Sequence, residues 1–293
     1  MNMFYRYRRI KDFIDGPYYK TFNYLEVKVK YLLLTSIVLL TNSLAWAKPA
    51  VETAEKKGLR IAVETNKFNS GFRGESSKMI MKLYDAHGAS TERVMKGKTL
   101  EVKGDGDKSL SIFEKPLDVK NTKMLTWSHK TEDDDQWLYL PSFKRWKRIS
   151  SNNKSSSFMG SEFSFEDLGS QEPEKYNYKW LKDEKISVAG SSVNASVLER
   201  KPKKKSGYSK QVLWMDKDKR NPAKIEYYDR KGELLKTAEF SKFKSYKIDG
   251  KTVWRPNFIS MKNVQTKKSS TIEWQNRKLG QKFKSKEFKK SNI

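Results

Sequence analysis

The chain contains no cysteine. That excludes a disulfide framework, a thiolate metal ligand and a thiol nucleophile, and with them a lipid-modified cysteine behind an export leader. Histidine is nearly absent too: there are 2, His87 in a turn and His129 near a strand end. His129 lies close in sequence to Asp133, Asp134 and Asp135, but proximity alone does not assemble a Ser-His-Asp triad. Asp105-x-Asp107 and Asp133–Asp135 are the acidic clusters, and both fall at turns, where Asp is favoured for local hydrogen bonding. No glycine-rich phosphate loop and no zinc-type ligand spacing occurs. The sequence therefore predicts no catalytic residue, no metal and no cofactor, and an envelope hydrolase has nothing to stand on.

Long apolar runs are scarce as well. The one present, Tyr31–Leu40, follows Lys28 and Lys30 and precedes Ala45-Trp46-Ala47. It is too short for a spanning helix, which needs ~20 apolar residues. Basic flank, apolar stretch and small residues at the cleavage positions together read as a secretory leader. The expectation is a signal peptide over 1–47, cleaved after Ala47, and a single domain over 48–293 that is soluble in the periplasm and meets membranes only peripherally.

What is abundant is positive charge: 61 Lys+Arg stand against 35 Asp+Glu, and residues 1–47 hold 7 and 3 of these, which leaves 54 against 32, a net of +22. In a cytosolic protein this balance would point to nucleic acid. For an exported chain the anionic partners are instead headgroups, envelope glycolipids or acidic protein surfaces, and nucleic acid is not expected.

Apolar residues at Val51, Ala54, Leu59, Ala62 and Val63, separated by Glu and Lys, predict one amphipathic helix over 51–68, weakened by Gly58. The period then changes to two, with turn signals roughly every 10–15 residues. Lys78–Tyr84, Thr91–Val102, Ser109–Phe113, Met124–Lys130 and Gln136–Leu140 are the early strand candidates. Tyr176–Ile186, Val193–Arg200, Lys210–Asp216, Ala223–Asp229, Leu234–Tyr246, Thr252–Val264 and Thr271–Leu279 are the later ones. Between the two sets lies an excursion: Pro141, the basic-aromatic run Phe143–Arg148, the polar stretch Ser150–Ser157, and the apolar-acidic segment Phe158–Leu168, where one or two short helices are expected. Irregular excursions of this length are usually functional or disordered. The lysine-rich segment from Lys282 reads as a frayed tail.

A long antiparallel meander with a single helix has a wide apolar face to cover, so the sheet must close on itself or curve around something. A curved sheet leaves a groove suited to an acyl chain. Each CH2 kept from water is worth ~0.8 kcal/mol, so a chain of ordinary length left bare costs ~10 kcal/mol and calls for a carrier.

Several stretches carry a resemblance. They are Gly106–Leu110, Pro116–Val119, Asp134–Pro141, Lys147–Ile149, Phe158–Leu168, Tyr227–Lys236 and Ile272–Trp274. On them the chain resembles the exported outer-membrane lipoprotein-sorting proteins of the LolA/LolB-like superfamily, over about residues 58–279. The resemblance implies a mainly β fold, an incomplete antiparallel β-barrel of about 11–12 strands around a hydrophobic cavity, with an N-terminal helix and short lid helices. It implies a carrier or chaperone of lipid or acylated lipoprotein, with an inner-membrane exporter of the resistance-nodulation-division (RND) type as partner. The residues expected to line the groove are Met79, Met81, Leu83, Leu110, Ile112, Leu125, Trp127, Leu138 and Leu140. Phe158, Met159, Phe163 and Phe165 are expected on the lid, and Lys144, Arg145, Lys147 and Arg148 at a headgroup or partner. The alternative is a barrel filled by its own side chains, serving as an accessory subunit of an export complex.

Overall fold

Thr53 opens the helix α1 (Ala54–Asn69), its hydroxyl accepting from the Lys56 amide at 3.3 Å. Gly58 explains how the helix sits. A Cβ there would lie 2.7 Å from the Trp180 amide nitrogen and 2.8 Å from the Lys179 carbonyl carbon. The residue that weakens α1 by propensity is thus the one that lets it lie flat on the sheet. The computed structural model describes residues 51–293, so the expected leader over 1–47 falls outside the described residues. Thr53–Ile293 forms one compact unit, and no helix among the described residues is long and apolar enough to cross a membrane.

Thirteen strands follow the helix: β1 (Gly74–Tyr84), β2 (Ser90–Leu100), β3 (Lys108–Lys115), β4 (Lys123–Trp127), β5 (Asp135–Leu140), β6 (Arg145–Ile149), β7 (Tyr176–Val188), β8 (Ser191–Pro202), β9 (Lys210–Asp216), β10 (Asn221–Tyr228), β11 (Leu234–Ile248), β12 (Lys251–Asn263) and β13 (Ser269–Leu279). They make one antiparallel sheet in the order β6-β5-β4-β3-β2-β1-β13-β12-β11-β10-β9-β8-β7. Successive strands pair as hairpins, except that β6 and β7 lie at opposite edges, and at the centre β1 pairs with β13. The edge strands β6 and β7 do not pair with each other, so the sheet is an unclosed barrel, as the resemblance implies.

The count exceeds the expectation by β6. Its five residues, Arg-Trp-Lys-Arg-Ile, show no buried position, so the apolar alternation that marks a half-buried strand is missing. Lys144, in the left-handed region at φ 47°, turns the chain from Pro141–Phe143 back along β5.

Laid flat, thirteen strands spaced ~4.8 Å apart would span ~60 Å. Met79 of β1, Leu138 of β5, Leu198 of β8 and Ile225 of β10 nevertheless share one buried cluster with Ala62 of α1 and Phe158 of the excursion. Strands from opposite ends of the order can meet only if the sheet curls, and this cluster marks its inner face. A second cluster, Leu110, Leu125, Trp137 and Phe288, with Ile112 and Trp127 packed against it, lies on the other face of β3–β5. There the segment after β13 covers the sheet. Phe288 is 0 % exposed, and its carbonyl accepts from the Trp127 indole at 2.8 Å. The segment from Lys282 is therefore a cover and not a frayed tail.

Candidate functional site

Residues 150–175 run from one sheet edge to the other across the mouth of the curled sheet and form a lid. Phe158 and Phe163 close a tight loop, the Phe158 amide donating to the Phe163 carbonyl at 2.7 Å. Ser164 caps the short 3-10 turn Phe165–Leu168, its amide donating to Asp167 Oδ2 at 2.7 Å. The Phe158 ring meets Phe113 at 5.9 Å and Phe165 at 5.7 Å. Phe158, Phe163 and Phe165 are buried, and Met159 packs against the same cluster with its carbonyl accepting from the Arg93 guanidinium.

A buried ion pair latches the lid. Lys236 of β11 and Asp167 are 4 % and 7 % exposed and stand 2.7 Å apart. Lys236 also donates to the Glu162 carbonyl at 2.8 Å, and the Tyr208 hydroxyl donates to Asp167 at 2.9 Å. The surroundings are dry: burial pushes the Tyr176 phenol up to about 12 and raises Tyr178, Tyr208 and Tyr227 as well.

Beside this latch lies an apolar cavity of about 280 Å³. Its walls are Ala62, Thr65, Asn66 and Asn69 of α1, Phe163 and Asp167 of the lid, and Leu198, Leu213, Met215, Ile225, Tyr227, Ile259 and Met261 of the later strands. Arg200 of β8 is in the wall too, 4 % exposed. A volume near the low end of ligand sites, which start at ~300 Å³, takes one short chain or part of a longer one.

The expected groove residues are not in that wall. Met79, Met81 and Leu138, with Leu83 and Leu140 partly buried beside them, sit on the inner face, but lid side chains fill the space above them. Leu110, Ile112, Leu125 and Trp127 face the other way, onto the cover around Phe288. Their parity is the reverse of that expected: in β3 the alternating apolar residues Leu110 and Ile112 belong to the outer face, with Ser109 and Ser111 on the other parity beside Phe113, and β4 is apolar on both faces, so period two cannot choose there. Of the expected lid residues, Phe163 alone reaches the cavity. The later strands were missed as its wall. Arg200 was the visible signal, since it shares the parity of Leu198 and so puts a charge on an apolar face.

The basic run lies on the edge strand. Phe143 is 64 % exposed with the Arg145 guanidinium 5.6 Å from its ring centre, Trp146 packs on Tyr139 at 5.4 Å, and Arg148 meets Asp135 at 2.5 Å. Lys144, Arg145, Lys147 and Arg148 are all exposed.

Two further pockets differ in kind. One of about 310 Å³ beneath Lys203–Ser206 is polar, and its charges compensate internally, Lys204 on Glu132 at 2.9 Å and Lys154 on Asp133 at 3.5 Å. The other, about 590 Å³, is a groove on the outer side against Phe283 and Ile293. His129 is held from both sides, Nδ1 at 2.9 Å from Asp105 and Nε2 at 3.4 Å from Asp135. Among the described residues no group of three His, Cys, Asp or Glu is placed to hold a metal.

A family model described as an uncharacterized protein matches residues 105–293. No curated protein matches the chain. Among solved structures, an outer membrane lipoprotein-sorting protein domain from Vibrio parahaemolyticus is 47% identical over 81% of this chain and 98% of its own, with a TM-score of 0.75. A DUF1329 family protein from Desulfovibrio piger is 30% identical over 82% of this chain and 98% of its own, TM-score 0.74. A LolA superfamily protein from Nitrosomonas europaea, 20% identical over 80% of this chain and 99% of its own with a TM-score of 0.62, shares the fold.

Proposed function

From the premise that this chain belongs to the outer membrane lipoprotein-sorting family, with a LolA-like fold, we propose that it is a periplasmic carrier. It takes an acyl chain of a lipid or lipoprotein into the cavity between α1, the lid and β8–β12, and moves that cargo between envelope membranes without chemistry. The observation that carries this reading is the lidded apolar cavity itself, in a relative of a lipoprotein-sorting domain. Enclosure is what a carrier has to supply, since a bare chain crossing water costs ~0.8 kcal/mol per CH2. An RND-type inner-membrane exporter is the proposed membrane partner, and the proposed headgroup or partner contact is the exposed basic edge, Lys144, Arg145, Lys147 and Arg148.

A second reading has an observation in its favour. The half of the cup over β1–β5 is filled by the chain's own lid phenylalanines, as an accessory subunit without cargo would have it. Native mass spectrometry of the protein taken from its own periplasm, followed by solvent extraction, separates the two. A co-purifying phospholipid or acylated species, lost when Ala62→Phe narrows the cavity in a protein of unchanged melting temperature, supports the carrier. An apo mass that takes up no added lipid sinks the carrier and leaves the accessory subunit.

A further inference from the structure

Arg200 is the exception among the buried cations. Lys236 has Asp167 at 2.7 Å, and Arg277, 5 % exposed, has Glu75 at 2.9 Å. Arg200 is as buried as either, yet its neighbours are neutral. Its Nε donates to the Gln211 side-chain oxygen, Nη2 donates to Gln171 Oε1 at 2.8 Å, and the guanidinium lies 4.3 Å from the Tyr176 ring centre. Among the described residues no carboxylate pairs with it. Neutral acceptors satisfy N–H groups but leave the charge uncompensated, and an uncompensated buried charge is strongly unfavourable. This one stands in the wall of the apolar cavity, beside Leu198 and Leu213.

We propose that the cavity is built for a single-chain amphiphile with an anionic head. The carboxylate or phosphate head meets the Arg200 guanidinium, and the chain lies along Leu198, Leu213, Met215 and Ile225. A guanidinium offers a planar fork that a carboxylate or phosphate accepts with two oxygens, and the dry surroundings strengthen that pairing. The neutral glutamines hold the fork in place without competing for its charge. The apolar wall excludes a bare ion as the intended ligand, because a small anion would leave that wall unfilled. This inference rests on the carrier reading and narrows it: the cargo, or the part of it that enters, is one chain carrying one negative charge.

The test is calorimetric titration of the delipidated protein with decanoate, methyl decanoate, decyl phosphate and acetate. Decanoate and decyl phosphate are expected to bind at least ten-fold more tightly than methyl decanoate. Arg200→Gln should erase that difference while leaving the affinity for methyl decanoate within two-fold, and Arg200→Lys should keep part of it. Equal binding of decanoate and its methyl ester by the wild type overturns the anion site and leaves the carrier standing. Acetate binding as tightly as decanoate overturns the amphiphile class, the site then being one for free anions. No binding of any chain-bearing probe overturns this inference and the carrier reading together. Melting temperatures report on folding, and if Arg200→Gln does not fold, the wild-type comparison of acid with ester still decides.

Discussion

At position 58 a methyl group is too much. The contacts a Cβ would make there, 2.7 and 2.8 Å, are to backbone atoms of β7, which cannot swing aside as a flexible side chain can. On helix propensity alone, Gly58→Ala should stabilise α1 by ~1 kcal/mol. Overpacking typically costs ~1–3 kcal/mol, so the variant is expected to be net destabilised, or to lift α1 off β7, as read by urea denaturation. A stabilised Gly58→Ala protein would refute the close approach. Asp107 makes a second case. Burial, with the nearby Glu172 and Glu101 carboxylates, raises its carboxyl to about 7, although it accepts from the Val102 amide at 3.2 Å. Between the ordinary value of 3.8 and about 7 the folded chain holds a proton that the unfolded chain has lost, so this group makes stability fall as pH rises through that window. Asp107→Asn keeps the acceptor and removes the titration. Its melting temperature should exceed that of the wild type at pH 8, and the gap should close towards pH 4.

Among the elements, the lid is held by one polar latch inside apolar surroundings. Removing one partner, as in Asp167→Asn or Lys236→Met, leaves the other charge buried and should cost about 3–5 kcal/mol, whereas replacing both with apolar residues should cost far less. Hydrogen exchange of residues 158–168 is the direct readout, with faster exchange expected in either single variant. If exchange there is unchanged, the ion pair is not what holds the lid. How much of this was legible in the sequence follows from which faces the elements bury. The helix and most of the strands show their period because one side is apolar and the other wet. β6 hid because neither side is buried, and it was read as part of an irregular excursion. β4 hid its parity for the opposite reason, since Met124 faces inward and Leu125 outward and both are apolar, while in β3 the alternating pair Leu110 and Ile112 faces outward. What makes the outer set apolar is Phe288, inside a segment so rich in lysine that it read as loose chain. The cavity was displaced to the later strands because the lid phenylalanines were expected above an open groove and instead occupy it.

For the whole molecule, the excess of positive charge should show as attraction to anionic surfaces. Each Lys or Arg brought near such a surface contributes ~1 kcal/mol, and the attraction fades when salt shortens the screening length below ~10 Å. Vesicles containing phosphatidylglycerol should therefore bind the protein more tightly than phosphatidylcholine vesicles, by a margin that shrinks with added sodium chloride. If the exposed edge at β6 is the point of contact, reversing Lys144 and Lys147 to Glu and removing the Phe143 ring should abolish most of that margin. An equal number of reversals on β11, at exposed Lys244 and Lys247, should not.

The central seam has a different consequence. β1 and β13 lie side by side in the sheet, with Met81 opposite Ile272 and Leu83 opposite Ser270, although all the other strands lie between them in sequence. Each half can assemble as a run of neighbouring hairpins, but the halves join only through that pairing, the contact of longest range in the sheet. Contacts of this kind form slowly, because a large loop must close before they give anything back. A chain made from its N-terminus therefore holds two unjoined halves until the last strand arrives. The first strand waits for the last, and the seam down the middle of the sheet does not exist before β13 has been made.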